Sequence, residues 1–464
     1  MATGQIEPTT VENFAEQVNG EVLRPGDGGY DDARTVWNAM VDREPAAIVR
    51  CTGTADVMAA VDFARDLDLL LSVKGGGHNV AGRAVCDGGL MIDLGGMNGV
   101  RVDPAERTAR VGAGATWGDF DHEAQTFGLA TTGGIVSTTG VAGLTLGGGF
   151  GYLHRKYGLA SDNLRSIDVV TADGEFVRAS ENENPELFWG MRGGGGNFGI
   201  ATSFEFDLHE VGPEVLAGRL LYPYEAAPQV LRFNREFMAD APNEVMCYPA
   251  FSRGSPEMGH PEPLHGKTLC ALLVMHSGDI EEGREVLRPL REFAEPIVDT
   301  IGPTPYAEQQ RINDELYRKG HRNYWKSHFY HEVSDDFIET VMEYVDPLPS
   351  PFTTVYGEWV GGATAEADLD ATAFPHRDKT FLFTISPKWT DPERDDELVE
   401  WAREFHDALT PYAADGVYMN YLERDEDERI GEAYGRRYER LRELKSTWDP
   451  ENLFRMNQNI EPAD

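Results

Sequence analysis

Three consecutive glycines, Gly75 to Gly77, stand directly before His78, at the end of the apolar run LLLSVK (69–74). Ordering glycine costs more backbone entropy than ordering any other residue, so three in a row imply that some group approaches the backbone closely. Two more glycine-dense stretches follow, GGIVSTTGVAGLTLGGGFG at 133–151 and GGGGNFG at 193–199. Each alone reads as a turn in a glycine-rich β structure. Together, the loops at 75–77, 147–151 and 193–199 offer a groove of consecutive N–H groups, an arrangement that binds anions. The chemistry they fit is the holding of a pyrophosphate-bearing cofactor.

The elements around these loops exclude the common nucleotide sites. GGGNFG (194–199) satisfies G-x-G-x-x-G, but a helix precedes it and a strand follows, the reverse of the dinucleotide fingerprint. LGGGFG (146–151) lacks the Lys-Ser/Thr pair of a P-loop. Residues 47–52 (AIVRCT) read as a strand, Thr54 as the cap of the next helix, and 69–74 as a second, parallel strand. The first glycine loop therefore leaves the carboxyl end of a strand, where α/β sheets bind ligands. ADGE (172–175) predicts a hairpin turn and ATSFEFDLH (201–209) a half-buried strand.

Past Gly212-Pro213 glycine thins out. Amphipathic helices are predicted at 227–240 and 279–295, and strands at 267–277, 352–361 and 379–389, which together make a second α+β domain with a largely antiparallel sheet. Residues 415–460 read as a strand, a helix and a terminal loop.

The chain of 464 residues is long enough for two cores. Its net charge of −38 leaves no basic stripe for nucleic acid. No run is apolar enough to span a bilayer and the first residues lack a secretion signal, so a soluble, cytoplasmic protein is expected. With 79 acids and only eight lysines beside 33 arginines, the surface is predicted to be adapted to concentrated salt. Cys51, Cys86, Cys247 and Cys270 are scattered without metal-ligand spacing and are expected to be reduced thiols; no metal site is predicted.

Several long segments, in order, carry a resemblance. PGDGGYDDARTVWNAM (25–40), VKGGGHNVAG (73–82), GLMIDLGGMNGVRVDP (89–104), GVAGLTLGGGFGYLHRKYGLASDNL (140–164), ELFWGMRGGGGNFGIATSFEF (186–206) and WDPENLFRMNQNI (448–460) resemble the berberine-bridge-enzyme-like branch of the FAD-linked oxidases, which share the vanillyl-alcohol-oxidase fold. The resemblance implies an α+β fold of two domains. An FAD-binding domain would occupy 1–208, a substrate domain with an antiparallel sheet covered by helices 209–410, and a segment returning to the first domain 411–464.

It also implies FAD bonded covalently to His78 through the flavin's 8α-methyl. Lys74, Gly75, Gly76, Gly77, Asn79 and Gly82 of the first loop would lie against the cofactor. So would Thr138, Thr139, Gly140, Gly143, Gly147, Gly148 and Gly151 of the second stretch, Asn197, Gly199 and Ile200 of the third, and Asn420 and Asn457 near the C-terminus. Some relatives carry a second tether, a cysteine, in a segment resembling GIVSTTG (134–140); Val136 holds that place here, which implies a single bond. Thr139 occupies the position where side-chain shape in relatives influences oxygen access.

Glu358, in YGEWVGG (356–362), and Tyr421, in YMNYL (418–422), match positions that serve as base or substrate contact in relatives. The implied function is oxidation of a small alcohol, sugar or amine by hydride transfer to the flavin, with O2 as acceptor and H2O2 as product. A dehydrogenase using another acceptor, or a flavin-binding protein without turnover, are the alternatives. TAFPHRD (372–378), with His376 and Arg377, reads as packing as readily as pocket, and HRNYWKSHFY (321–330) is assigned no catalytic role.

Overall fold

A computed structural model of the protein describes residues 6–256 and 260–463. Short runs rich in Val, Ile and Leu become strands buried on both faces. Ala47–Arg50, Leu90–Asp93 and Leu71–Lys74 lie parallel, with Glu21–Leu23 antiparallel at the edge. Leu90–Asp93 runs between the two strands of the β-α-β unit. Helix Thr54–Asp66 turns Val57, Ala60, Val61 and Ala64 into the core. Thr54 is its first residue rather than its cap: Gly53 occupies the cap position and makes no side-chain bond. Asp56 does the local work instead, accepting hydrogen bonds from the backbone N–H of Asn19, Gly20 and Thr52.

A five-stranded antiparallel sheet follows, in the order Val100–Asp103, Thr108–Gly112, Ile200–Asp207, Leu164–Val170, Phe176–Ser180. The hairpin joining its last two strands turns at Gly174, whose φ of +76° favours glycine. One core runs between these sheets. Residues from the end of the chain, among them Val417, Met419, Tyr434, Leu441 and Ile460, pack into it. The strand read at the start of 415–460 is a single 3-10 turn, Met419–Tyr421. Asn420 donates to Leu144 O, and this tie to the second glycine stretch replaces a strand ladder.

Residues from about the cis Gly212-Pro213 bond onward build a second core. Its eight-stranded sheet is antiparallel throughout and includes Glu214–Pro223, Val245–Arg253, Thr268–His276, Thr354–Trp359, Phe381–Ser386 and Lys326–Tyr330. Helices Ala227–Asp240, Ile280–Glu292, Asp335–Tyr344 and Asp395–Leu409 cover one face, burying Val230, Leu287, Phe337, Val341, Leu398 and Phe405. Each such side chain contributes about 1.5–3 kcal/mol when removed from water. The period of two sends Val355 and Trp359 into this helix-covered core, and Tyr356 and Glu358 to the opposite face, toward the first domain.

All four cysteines are free and buried. Burial raises the thiol pKa of each. Among the described residues no helix is long and apolar enough to cross a membrane.

Candidate active site

Both cores contribute walls to one long cavity of about 1640 Å³, its open mouth included. Its lining is mostly apolar and aromatic with a few polar groups, the make-up of a small-molecule or cofactor site. Gly75, Gly76, Gly77, Gly140, Gly143 and Gly199 line its first-domain side. The loops there touch backbone to backbone: a Cβ on Gly76 would sit 2.4 Å from Gly140 N, and a Cβ on Gly140 would sit 2.4 Å from Gly76 N. A Cβ on Gly143 or Gly196 would meet nothing within 4 Å, so bare main chain faces the cavity at these points.

His78, Asn79, Val136, Thr139, Ile200, Asn420 and Asn457 complete the positions that the sequence brings to this wall. The His78 ring stacks on Trp37 with centroids 4.9 Å apart, and its Nε2 lies 2.9 Å from Thr138 Oγ1. Nδ1 has no protein hydrogen-bond partner among the described residues. Desolvation lowers the ring's pKa to about 3, so the imidazole is neutral and carries a free lone pair. Asn457 donates to Gly196 O, while its buried Oδ1 has no protein partner. Bare amides, a neutral ring and an unspent acceptor on one apolar groove fit FAD.

Seven of the expected contacts lie outside the cavity wall. Lys74 pairs with Asp93 at 3.0 Å and donates to Ala33 O. Thr138 is exposed and reaches the site only through His78. Asn197 is fully buried, donating to Gly194 O and Gln458 O and accepting from Ile460 N, and so ties the C-terminal segment to the third loop. Gly82, Gly147, Gly148 and Gly151 are packed from behind by Val41, Asn420, Phe374 and Gly133 O respectively, contacts a side chain would displace.

A second-domain strand and the returning C-terminal segment close the cavity with polar rings. Tyr421 OH donates to Glu358 Oε2 at 3.0 Å, and Tyr356 OH donates to Tyr421 OH at 3.3 Å. Tyr317, Trp325 and Tyr418 stand around them. Glu358 is 1% exposed, and burial raises its pKa to about 7 while the Tyr421 hydrogen bond opposes that rise. A carboxyl poised near neutrality and aimed into a cavity is suited to general-base work. Burial holds the Tyr421 and Tyr356 phenols well above their ordinary range, so both are donors at neutral pH.

His376 and Arg377 do not reach the site. His376 Nε2 bonds to Ala433 O, and Arg377 pairs with Asp162 inside the core. Sequence reasoning missed Trp37, Tyr317, Trp325 and Tyr356. Tyr356 was within reach, since it sits two residues before Glu358 and a strand puts both on one face. Trp325 lies in the segment assigned no catalytic role, and nothing local marks Tyr317.

Two family models match the chain: one described as FAD binding domain over residues 45–180, and one described as Berberine and berberine like over 417–461. An FAD-linked oxidoreductase of Dictyostelium discoideum is 32% identical over 457 residues, covering 97% of each chain. (R)-6-hydroxynicotine oxidase of Paenarthrobacter nicotinovorans is 33% identical over 464 residues, covering 96% of this chain and 97% of the relative. The crystal structure of 6-hydroxy-D-nicotine oxidase from Arthrobacter nicotinovorans matches with a TM-score of 0.87 at 29% identity, covering 96% of this chain and 98% of that one.

Proposed function

Because this chain belongs to the berberine-like FAD-linked oxidoreductases, we propose that it holds FAD along the glycine wall and oxidises a small alcohol, sugar or amine at the tyrosine wall. The chain is an oxidoreductase with the two-domain α+β fold of FAD-linked oxidases. His78 is the attachment point, joined through Nδ1, the ring nitrogen that Thr138 leaves free by engaging Nε2. Val136 on the cavity wall leaves this as the only tether. The loops at 75–77, 140–143 and 195–199 hold the remainder of the cofactor through main-chain contacts. When bound, the flavin supplies a two-electron acceptor for a hydride from the substrate carbon.

The observation that carries the reading is the Tyr421–Glu358 pair, 3.0 Å apart, in the same cavity as His78 and the bare glycine backbone. Glu358 takes the proton from the substrate hydroxyl or amine, and Tyr421 steadies the carboxylate and orients it. An aromatic surround of Tyr317, Trp325, Tyr356 and Tyr418 excludes water and packs a flat or cyclic substrate.

Anaerobic mixing with alcohols, sugars and amines, followed as loss of flavin absorbance, tests the function. Glu358→Gln should slow the reduction by about 10²–10⁴ for the responding compound; an unchanged rate removes Glu358 from the reaction. Flavin absorbance should survive denaturation and washing, and a colourless pellet rejects the His78 bond. Thr139 lines the wall at the position that the resemblance ties to oxygen access, and its polar side chain keeps a second reading, in which a non-oxygen acceptor is used. Rapid reduction under air without hydrogen peroxide would select it.

A further inference from the structure

A run of three glycines cannot by itself hold the side chain that follows it, because each glycine samples a wide range of backbone angles. What fixes His78 comes from the short segment 37–39. Trp37 lays its ring on the imidazole, with centroids 4.9 Å apart and planes 16° from parallel. The backbone N–H of Trp37 donates to Gly77 O at 3.0 Å. Asn38 Nδ2 donates to Val80 O at 2.7 Å, so the segment grips the loop on both sides of His78.

The same segment is laced to the second domain. Trp37 Nε1 donates to Tyr317 O at 2.7 Å, the Gly320 N–H to Trp37 O at 3.2 Å and the Ala39 N–H to His321 O at 3.0 Å. Asn38 Nδ2 donates its second hydrogen to Asn323 O, 2.9 Å away, and Oδ1 accepts from the N–H groups of Asn323 and Met40, each at 3.0 Å. All four bonds of this amide are thus made, with one N–H given to each domain. The receiving segment is itself anchored: Arg322–Asn323 pairs with Lys388–Trp389, Tyr317 OH is 3.2 Å from Thr354 Oγ1, and Lys388 Nζ stands 3.9 Å from the centre of the Tyr317 ring. Trp37 and Asn38 are 3% and 2% exposed, so water does not compete for these bonds.

We propose that Trp37 and Asn38 are positioning residues for the flavin bond at His78, and that through them the bond forms only once the second domain has seated on the first. This rests on the reading of His78 as the attachment point. In that step Nδ1 joins the 8α-carbon as one C–H bond of the methyl breaks, and the imidazole gives up its N–H proton. The flavin, as oxidant, takes up the two electrons and both protons, so the step balances. Trp37 sets the plane of the attacking ring, and Thr138, 2.9 Å from Nε2, sets its rotation within that plane. Asn38 fixes the loop beneath the ring to a strand of the other domain. Such alignment matters because a misplacement of ~1 Å can slow a reaction ~10²-fold.

The rate of attachment tests this. Each full-length variant is purified with the flavin it carries and incubated with FAD, and samples are precipitated in acid at intervals. Flavin in the washed pellet is divided by the flavin the native protein held at that time; scoring per bound flavin keeps a variant that folds poorly in the test. Trp37→Leu removes both the stack and the Tyr317 bond, and should attach flavin about 10- to 100-fold more slowly than wild type. Trp37→Phe returns a ring to His78 and should recover part of that rate. Asn38→Asp leaves the stack in place but turns an acceptor toward Val80 O and Asn323 O, and should slow attachment about 10-fold or more with the flavin still bound. A wild-type rate in either Trp37→Leu or Asn38→Asp overturns the proposal and leaves the segment as packing. A wild-type pellet without flavin is a different result, which rejects the His78 bond itself and the proposal with it.

Discussion

The two walls of the cavity do their work with opposite parts of the polypeptide. On the first-domain side the surface is main chain: Gly76 and Gly140 approach within a distance that excludes any Cβ, and Gly143 and Gly196 present nothing but backbone. On the second-domain side it is side chain, with Tyr356, Tyr421 and Glu358 carried by a strand and a 3-10 turn. Where its loops meet, at Gly76 and Gly140, a backbone wall admits no side chain. A side-chain wall can be re-cut residue by residue without disturbing the loops opposite.

The sharpest way to break this contrast is to put a side chain on the backbone wall. Gly76→Ala inserts a methyl 2.4 Å from Gly140 N, and the backbone on both sides cannot swing away as a side chain would. We expect a chain that either fails to accumulate or folds without flavin, read as absent absorbance in the purified protein. A yellow, active Gly76→Ala enzyme would mean that the two loops do not meet as described.

Changes on the side-chain wall should be graded instead. Tyr421→Phe removes a hydrogen bond to an ionisable carboxyl, an interaction of about 1.5–3 kcal/mol, so flavin reduction should fall roughly 10- to 100-fold with flavin content intact. The wild-type reduction rate should rise with pH up to about 7, where Glu358 ionises, and then level off. A profile flat across neutrality would separate Glu358 from the chemistry.

The same carboxyl leaves a mark on stability. Its folded pKa is about 7 against an ordinary 4.5, so the native state binds the Glu358 proton more tightly than the unfolded state does. Its stabilising contribution is therefore complete below pH 4.5 and is lost as pH rises through 7. A shift of that size is on the order of 3 kcal/mol. Glu358→Gln should melt higher than wild type at pH 8 and nearly with it at pH 4, by calorimetry. Equal pH slopes in the two proteins would place the carboxyl in a wetter setting than the cavity provides.

Sequence and structure agree unevenly across the two walls. The backbone wall was legible because glycine is itself the signal: its cost makes a cluster conspicuous, and the loops at 75–77 and 193–199 both reach the cavity. Even there, Gly147, Gly148 and Gly151 turn out to be packed from behind, a distinction that composition cannot carry because a glycine against a ligand and a glycine against a phenyl ring look alike. The tyrosine wall was only half legible. Glu358 and Tyr421 came from resemblance, whereas Tyr317 and Lys388 sit 71 residues apart in the chain and meet only once the sheet has formed. The strand misread at the start of 415–460 has the same origin, since Asn420 is held by a partner, Leu144, far away in sequence.

The smallest effect belongs to the outer surface and sets it against both walls. Of eight lysines, Lys326, Lys379, Lys388 and Lys445 are buried, so the exposed face carries its net charge of −38 on carboxylates offset mainly by arginine. Like charges at this density repel at low ionic strength, and molar salt shortens their reach to about 3 Å. The melting temperature should therefore climb by a few degrees between dilute buffer and molar KCl. Charges inside the cavity are hidden from that salt, so the pH at which Glu358 ionises should hardly move. A midpoint for Glu358 that follows the salt as closely as the melting temperature does would show that the tyrosine wall is open to solvent, and the division between a dry site and a hydrated acidic shell would fall.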